Sequence, residues 1–231
     1  MISIIIPVWN EVGHLPATLA AAHEPGLASE VIVVEAGTKE NTGGVAPAVG
    51  WTLITSARRQ RAAQMNLGAS RSQGELLLFL HADTRLYPGA LSKIQSAMAD
   101  PGMAGGGFAR RFASHSPWLG LTSRLADYRG RVFGWLFGDQ AIFIRRTTFN
   151  RLGGYPDWDL FEDLELSRRM KRHGRVVLLE PPITSSARRF QARGPVLTTL
   201  RDLVLTLQYF AGVHPNRIAT RLARLGEPKK D

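Results

Sequence analysis

Two acidic positions in the sequence are placed to do chemistry. Asp83 lies in His81-Ala82-Asp83-Thr84, directly after the apolar run Leu76-Leu77-Leu78-Phe79-Leu80. An aspartate at the mouth of a buried strand offers hard oxygen ligands that suit Mg²⁺ or Mn²⁺ held against phosphates. The same residue would serve equally as the cap of the next turn, and His81 as a further ligand or a packing group. The second position is Phe161-Glu162-Asp163, which opens a helical pattern running through Leu164, Glu165, Arg168 and Arg169. Carboxylates in a first helical turn gain about 0.3–1 kcal/mol from the macrodipole, which is a structural role in itself. That location also keeps a carboxylate ionised, as a general base requires.

Other candidates are less specific. Trp118, Trp135 and Trp158 have faces on which a sugar can stack, although Trp118 and Trp135 sit among apolar neighbours that suit a core. Trp158 differs, because Asp157-Trp158-Asp159 is a polar loop just before the candidate base. Asp139-Gln140 falls in a turn between apolar segments, where it is placed to hydrogen-bond a ligand. Arg145-Arg146, Arg168-Arg169 and Arg188-Arg189 read as solvated faces. The loop after the first strand is Pro7-Val8-Trp9-Asn10-Glu11, without G-x-G-x-x-G, and no G-x-x-x-x-G-K-[ST] or Gly-x-Ser-x-Gly is present. The Gly105-Gly106-Gly107 cluster does not replace them. The absence of cysteine removes thiolate nucleophiles, disulfides, iron–sulfur clusters and cysteine zinc sites.

These groups need a frame, and strand and helix signals alternate to supply one. Strands are expected over residues 3–8, 31–34, 51–55, 76–80, 108–112, 141–144 and 176–179. Helices are expected over residues 13–22, 59–70, 91–99, 119–130, 161–173 and 196–210. In the last of these, Leu200, Leu203, Val204, Leu207 and Phe210 form an apolar stripe. The final ten or so residues are expected to be frayed. Continuous apolar strands between helices predict an α/β fold, a doubly wound, mostly parallel sheet covered on both faces, with a C-terminal helical extension. Ligands in such sheets sit beyond the carboxyl ends of the strands, which directs attention to residues 7–11, 35–38 and 81–85.

The 231 residues carry a formal charge of +10, with residues 1–107 at −1 and residues 108–231 at +11. Of the 29 basic residues, 24 are arginine, suited to bidentate contact with phosphate or carboxylate. A basic nucleic-acid binder is disfavoured, since neither a helix-turn-helix nor an aromatic-basic platform is seen. The apolar start, Met1 to Pro7, is short and lacks a basic leader, and the uncharged stretch 203–213 is half the ~20 residues a bilayer crossing needs. A cytoplasmic protein is expected, with peripheral contact at the anionic inner face of a membrane.

Four segments in order resemble the family-2 glycosyltransferases: residues 3–11, the acidic strand end at Glu35, His81-Ala82-Asp83-Thr84, and residues 161–169. Together with Gln64-Met65-Asn66, Gly138-Asp139-Gln140-Ala141 and Leu152-Gly153-Gly154-Tyr155, they are similar to a small soluble subfamily of arsenosugar-biosynthesis glycosyltransferases. The resemblance implies a GT-A-like nucleotide-diphospho-sugar transferase fold, a nucleotide diphosphate sugar as donor, Mg²⁺ or Mn²⁺ as cofactor, and inverting, hexosyltransferase-type transfer. By that likeness Pro7, Asn10 and Glu11 line the nucleoside pocket, Glu35 reads the base or ribose, and Arg61 approaches the nucleotide. Asp83 matches the second aspartate of the Asp-x-Asp metal motif, and Asp163 the catalytic base, with Glu162 beside it at the substrate.

The sequence departs from the family pattern in three places. His81 replaces the first metal aspartate, and Glu35-Ala36-Gly37-Thr38 replaces Asp-Asp-Gly-Ser or Asp-Gly-Gly-Ser. Gln191-Ala192-Arg193-Gly194 is not the Gln-x-x-Arg-Trp of processive synthases, which argues for moving one sugar. Residues 1–107 are then expected to form the donor half and residues 108–231 the half facing an anionic acceptor, within one compact domain. Rival readings are a nucleotidyltransferase, which also uses aspartates at strand ends, and a degenerate fold that binds a nucleotide sugar without catalysis.

Overall fold

Four isoleucines and a valine within β1 (Ile2–Val8) leave that strand no polar face, so both sides must be covered. The computed structural model, which describes residues 1–37, 42–44 and 50–224, covers them. Helices α1 (Leu15–Ala21) and α3 (Ala90–Ala97) lie on one side with Ile4, Ile6, Leu78 and Leu80. On the other side α2 (Arg61–Arg71) and α6 (Glu162–Met170) enclose Ile5, Leu77 and Phe79. Alternate residues of one strand thus enter two separate cores.

The remaining strands are β2 (Ser29–Glu35), β3 (Thr52–Thr55), β4 (Leu76–Phe79), β5 (Thr84–Arg85), β6 (Met103–Phe112), β7 (Ile142–Arg145) and β8 (Arg175–Ser185). The eight form one sheet in the order β3-β2-β1-β4-β7-β6-β8-β5. Strands β3, β2, β1 and β4 run parallel, and the antiparallel β4–β7 and β7–β6 pairs restore that direction in β6 and β8. The carboxyl ends of β1, β4, β6 and β8 therefore point the same way, and the candidate residues gather there.

Helices α4 (Pro117–Phe133), α5 (Arg146–Arg151), α7 (Arg188–Arg193), α8 (Pro195–Phe210) and α9 (Pro215–Arg224) complete the chain. A third apolar cluster, including Phe161, Leu164, Leu205, Tyr209 and Ile218, joins α6, α8 and α9. No helix among the described residues is long and apolar enough to cross a membrane.

Three expectations change. Strand β6 begins at Met103, so the glycine cluster lies inside the sheet rather than ahead of it. A Cβ at Gly105 would stand 2.3 Å from the Phe143 carbonyl oxygen and one at Gly106 2.2 Å from that of Val177; only glycine permits these strands to pair so closely. The apolar stripe of α8 faces outward, Leu203 being 53% exposed, while Thr198, Leu205 and Tyr209 face inward. Residues 215–224 form a helix, and the expected fraying falls on residues 225–231, outside the described residues.

Candidate functional site

Two adjoining cavities open at the carboxyl edge of the sheet. The smaller, of about 110 Å³, is lined by Pro7, Trp9, Arg59, Arg61 and Asp83 among others. The larger is a groove of about 860 Å³ that holds Asn10, Asp139 and Asp163 and runs out between α4 and α8. Glu11, Arg61, His81, Asp83, Glu162 and Arg188 border both.

The walls are set by side chains that bond to backbone. Gln64, buried on α2, donates to the Val8 carbonyl at 3.0 Å and the Val34 carbonyl at 2.7 Å, tying together the ends of β1 and β2. Asn66 donates to the Tyr155 carbonyl and accepts from its N–H, both at 2.9 Å, which fixes the turn at Gly153-Gly154. Arg58 forks onto Asp157, and Gln60 Nε2 donates to Asp159 Oδ1 at 3.0 Å. Asn216 of α9 accepts from the Asp159 N–H and donates to the Asp157 carbonyl. The loop ahead of α6 is thus held from both sides.

Asp163 is the second residue of α6 and lines the groove. Its Oδ2 accepts the Gly138 N–H at 2.6 Å and its Oδ1 the Leu164 N–H at 2.7 Å. Gly138 separates Asp163 from His81, for a Cβ there would lie 2.4 Å from His81 Nε2 and 3.3 Å from Asp163 Oδ2. Glu162 is buried, with its Oε1 3.8 Å from Arg61 Nη1. At the other wall Arg188 forms a two-pronged pair with Glu11, one contact at 2.7 Å, and stands 3.7 Å from Asp83 Oδ2. Burial raises the Asp83 carboxyl above the ordinary aspartate range, Arg188 works against that rise and Glu11 adds to it.

The remaining predicted residues divide. Pro7 lines the smaller cavity and Asn10 the groove, and Asp139 lines the groove with its Oδ2 3.3 Å from Arg110 Nε. Glu35 ends β2 in register with Val8 and accepts from Thr55 Oγ1 at 3.1 Å, but lines neither cavity. Thr38 of its motif lies outside the described residues. Gln140 is fully buried: its Oε1 accepts from Arg129 and the Phe137 N–H, and its Nε2 donates to the Phe108 carbonyl. Its amide holds the turn that carries Gly138 and Asp139. Trp158 packs on Tyr209 and His214 and lines neither of the two cavities. Trp135 does line the groove, stacked between Phe133 and Phe210 with ring centroids 4.9 Å away on each side.

Each of the paired arginines holds a partner, and of the six only Arg188 is exposed. Arg145 donates to three carbonyls near the start of β6, and Arg146 to the Gly74 and Ala69 carbonyls. Arg168 and Arg169 pair with Glu165. A guanidinium's five donors find such carbonyl and carboxylate partners readily. Sequence reasoning missed Arg188, Arg110 and Gly138 as site residues. A signal for the first existed: β8 continues to Ser185, so Arg188 lies just past the carboxyl end of a strand parallel to β4.

Among the described residues no three His, Cys, Asp or Glu side chains cluster as a self-sufficient metal cage. Glu11, Asp83, Asp159 and Glu162 present carboxylates to both cavities, and Asp83 is the one that follows β4 directly. A carboxylate whose burial disfavours its charge, beside space for a diphosphate, fits Mg²⁺ or Mn²⁺, which take one or two protein carboxylates and complete their shell with phosphate oxygens and water.

The family model described as Glycosyl transferase family 2 matches residues 3–152. An uncharacterized protein of Mycobacterium tuberculosis is 28% identical over 96% of this chain and 80% of its own. Among solved structures, a mannosyltransferase from Pyrobaculum calidifontis, in complex with GDP-Man and Mn²⁺, superposes with a TM-score of 0.64 at 21% identity. S. aureus TarS in complex with UDP-GlcNAc gives 0.62 at 13% identity. Each alignment covers 80% of this chain but only 56% and 58% of the respective solved chains, and at these identities the likeness is one of fold.

Proposed function

The chain belongs to glycosyl transferase family 2, and from that premise we propose that it moves one hexose, with inversion, from a nucleotide diphosphate sugar to a hydroxyl acceptor. The observation that carries the reading is the placement of Asp163: an acidic side chain at the start of α6, facing a groove that shares a wall with the cavity bordered by Asp83. Single displacement needs the acceptor on one side of the anomeric carbon and the diphosphate on the other, and two cavities meeting at Arg61 and Glu162 suit that division.

The diphosphate end of the donor is assigned to the smaller cavity, with Pro7, Glu11 and Arg61 on its walls, and the rest of the donor to the open sheet edge beside it, with Asn10 and Glu35 as family-based assignments. Complexes of the solved relatives with GDP-Man and UDP-GlcNAc support this class of donor. Asp83 would hold Mg²⁺ or Mn²⁺, which when bound supplies positive charge to the departing diphosphate. Arg61 and Arg188 add fixed positive charge on opposite walls of that cavity. Asp163 takes the proton of the acceptor hydroxyl as the new bond forms, its orientation fixed by the Gly138 N–H. Residues 1–107 act as the donor half and residues 108–231 as the acceptor half. Their +11 charge suits an anionic acceptor or the anionic inner face of the cytoplasmic membrane.

The test is incubation with nucleotide sugars and Mn²⁺. Release of nucleoside diphosphate supports the reading, whereas pyrophosphate would indicate nucleotidyl transfer. Asp163→Asn is expected to lower transfer by about 10²–10⁴-fold while the thermal shift given by nucleoside diphosphate and Mn²⁺ persists. Lost nucleotide binding with surviving turnover would sink the assignment.

A further inference from the structure

We infer that the acceptor is an anionic amphiphile: a hydroxyl-bearing molecule whose apolar chain lies between α4 and α8 and whose phosphate-like group meets Arg110 and Arg189. This rests on the transferase reading and names the substrate class of the same site.

The groove changes character along its length. At its inner end stand Asp139 and Asp163, whereas toward solvent its walls are Leu125, Trp135, Leu203, Leu207 and Phe210. A small polar acceptor has no use for such walls. The apolar surface continues past the lip: Leu121 on α4 and Leu200 and Val204 on α8 are each about half exposed. A hydrocarbon chain entering the groove would leave water along its whole path and cover surface that otherwise costs free energy to hydrate.

Charge completes the description of the ligand. Arg110 is 6% exposed, and although its Nε faces Asp139, its Nη1 is buried with no hydrogen-bond partner. The Nη1 of Arg189 is likewise buried without a partner, while its Nη2 is held by Asp202 at 2.6 Å. Both side chains line this groove. Two guanidinium groups, each with an unanswered buried N–H, are donors prepared for an anion, and phosphate oxygens match them best. In the reaction the amphiphile's hydroxyl oxygen bonds to the anomeric carbon and its proton passes to the Asp163 carboxylate. The bond from that carbon to the diphosphate oxygen breaks, and the electron pair leaves with the nucleoside diphosphate.

A second copy of the chain sealing the same face is the competing occupant, but it would close the path by which a hydroxyl reaches Asp163. The probe is dihexanoyl phosphatidylglycerol below its micelle concentration, followed by calorimetry, with glycerol phosphate as the head alone. The lipid is expected to bind saturably, and glycerol phosphate at least about tenfold more weakly. Leu203→Glu and Arg189→Gln should each weaken lipid binding by about tenfold. Thermal shifts with nucleoside diphosphate and Mn²⁺ should stay unchanged in both variants, which shows that they fold. Equal binding of glycerol phosphate, indifference to Leu203→Glu, absence of lipid binding, or a dimer that dissociates on Leu203→Glu would each overturn the inference. If the lipid binds as expected but no nucleoside diphosphate stabilises the wild-type protein, the transferase reading fails and the groove assignment stands.

Discussion

Gly138 fills the space between His81 and Asp163 with a backbone alone, and its N–H orients the Asp163 carboxylate. In Gly138→Ala the new methyl would press on His81 Nε2 from 2.4 Å, and the ring or the start of α6 must move. Displacing a reacting group by about 1 Å costs on the order of 100-fold, so kcat is expected to fall about that far with circular dichroism unchanged. Unaltered kcat would show that the spacing does not matter. Strain gathers at the same place. The non-glycine residues with positive φ among the described residues are Asn10, Ala141 and Phe161. Asn10, following β1, and Phe161, preceding α6, line the groove, and Ala141 follows the Gly138–Gln140 turn. Each such backbone costs on the order of 1–3 kcal/mol and persists because its surroundings hold it. Ala141 and Phe161 are buried, which supplies that hold. No residue type announces an alanine or phenylalanine in that conformation, and this part of the site was illegible in the sequence.

Helix α6 brings the candidate base to the groove, and its docking on α8 depends on Glu165. Burial pushes the Glu165 carboxyl up, but hydrogen bonds from Tyr209 and Arg169 outweigh it and hold the group below the ordinary glutamate range. Burial and the bond to Glu165 push the Tyr209 hydroxyl up to about 12. A carboxyl depressed in the folded state stabilises above its unfolded value near 4.5, and that contribution is lost as pH falls through the depressed value. Glu165→Gln is therefore expected to lose about 1–2 kcal/mol at pH 7 and progressively less below pH ~4.5. Thermal melts of both proteins across that range provide the check; a difference that grows toward acid would refute it. At this scale the sequence reading succeeded where chemistry is local. The strands of residues 3–8 and 76–80 announced themselves because a segment buried on both faces has no polar alternation to obscure it. It failed where the partner is remote. Arg188 meets Glu11 across 177 residues, and Arg146 meets carbonyls more than 70 residues away, so their neighbours in sequence say nothing of either contact. The stripe on α8 was legible as amphipathic, but periodicity cannot tell which side faces the core when both sides carry leucine.

Across the whole molecule, charge and apolar surface coincide. Residues 108–231, which carry +11, also carry the outward apolar faces of α4 and α8, whereas residues 1–107 have a net charge of −1. Neither property alone selects a partner: arginine excess also follows from base composition, and scattered leucines on a surface are ordinary. Their coincidence around the mouth of one groove is selective, because an anionic lipid surface answers both at once. Basic side chains near such a surface contribute about 1 kcal/mol each and act within a Debye length, about 10 Å at 0.1 M salt and 3 Å at 1 M. The protein is therefore expected to sediment with phosphatidylglycerol-rich vesicles at low salt, to be released as salt rises, and to leave phosphatidylcholine vesicles unbound. Leu200→Glu, on the exposed face of α8, should weaken vesicle binding without changing the thermal shift given by nucleoside diphosphate. Equal binding to neutral vesicles would mean that apolar contact acts alone. Binding to neither would return the arginine excess to a compositional origin and confine recognition of an anionic group to Arg110 and Arg189 inside the groove.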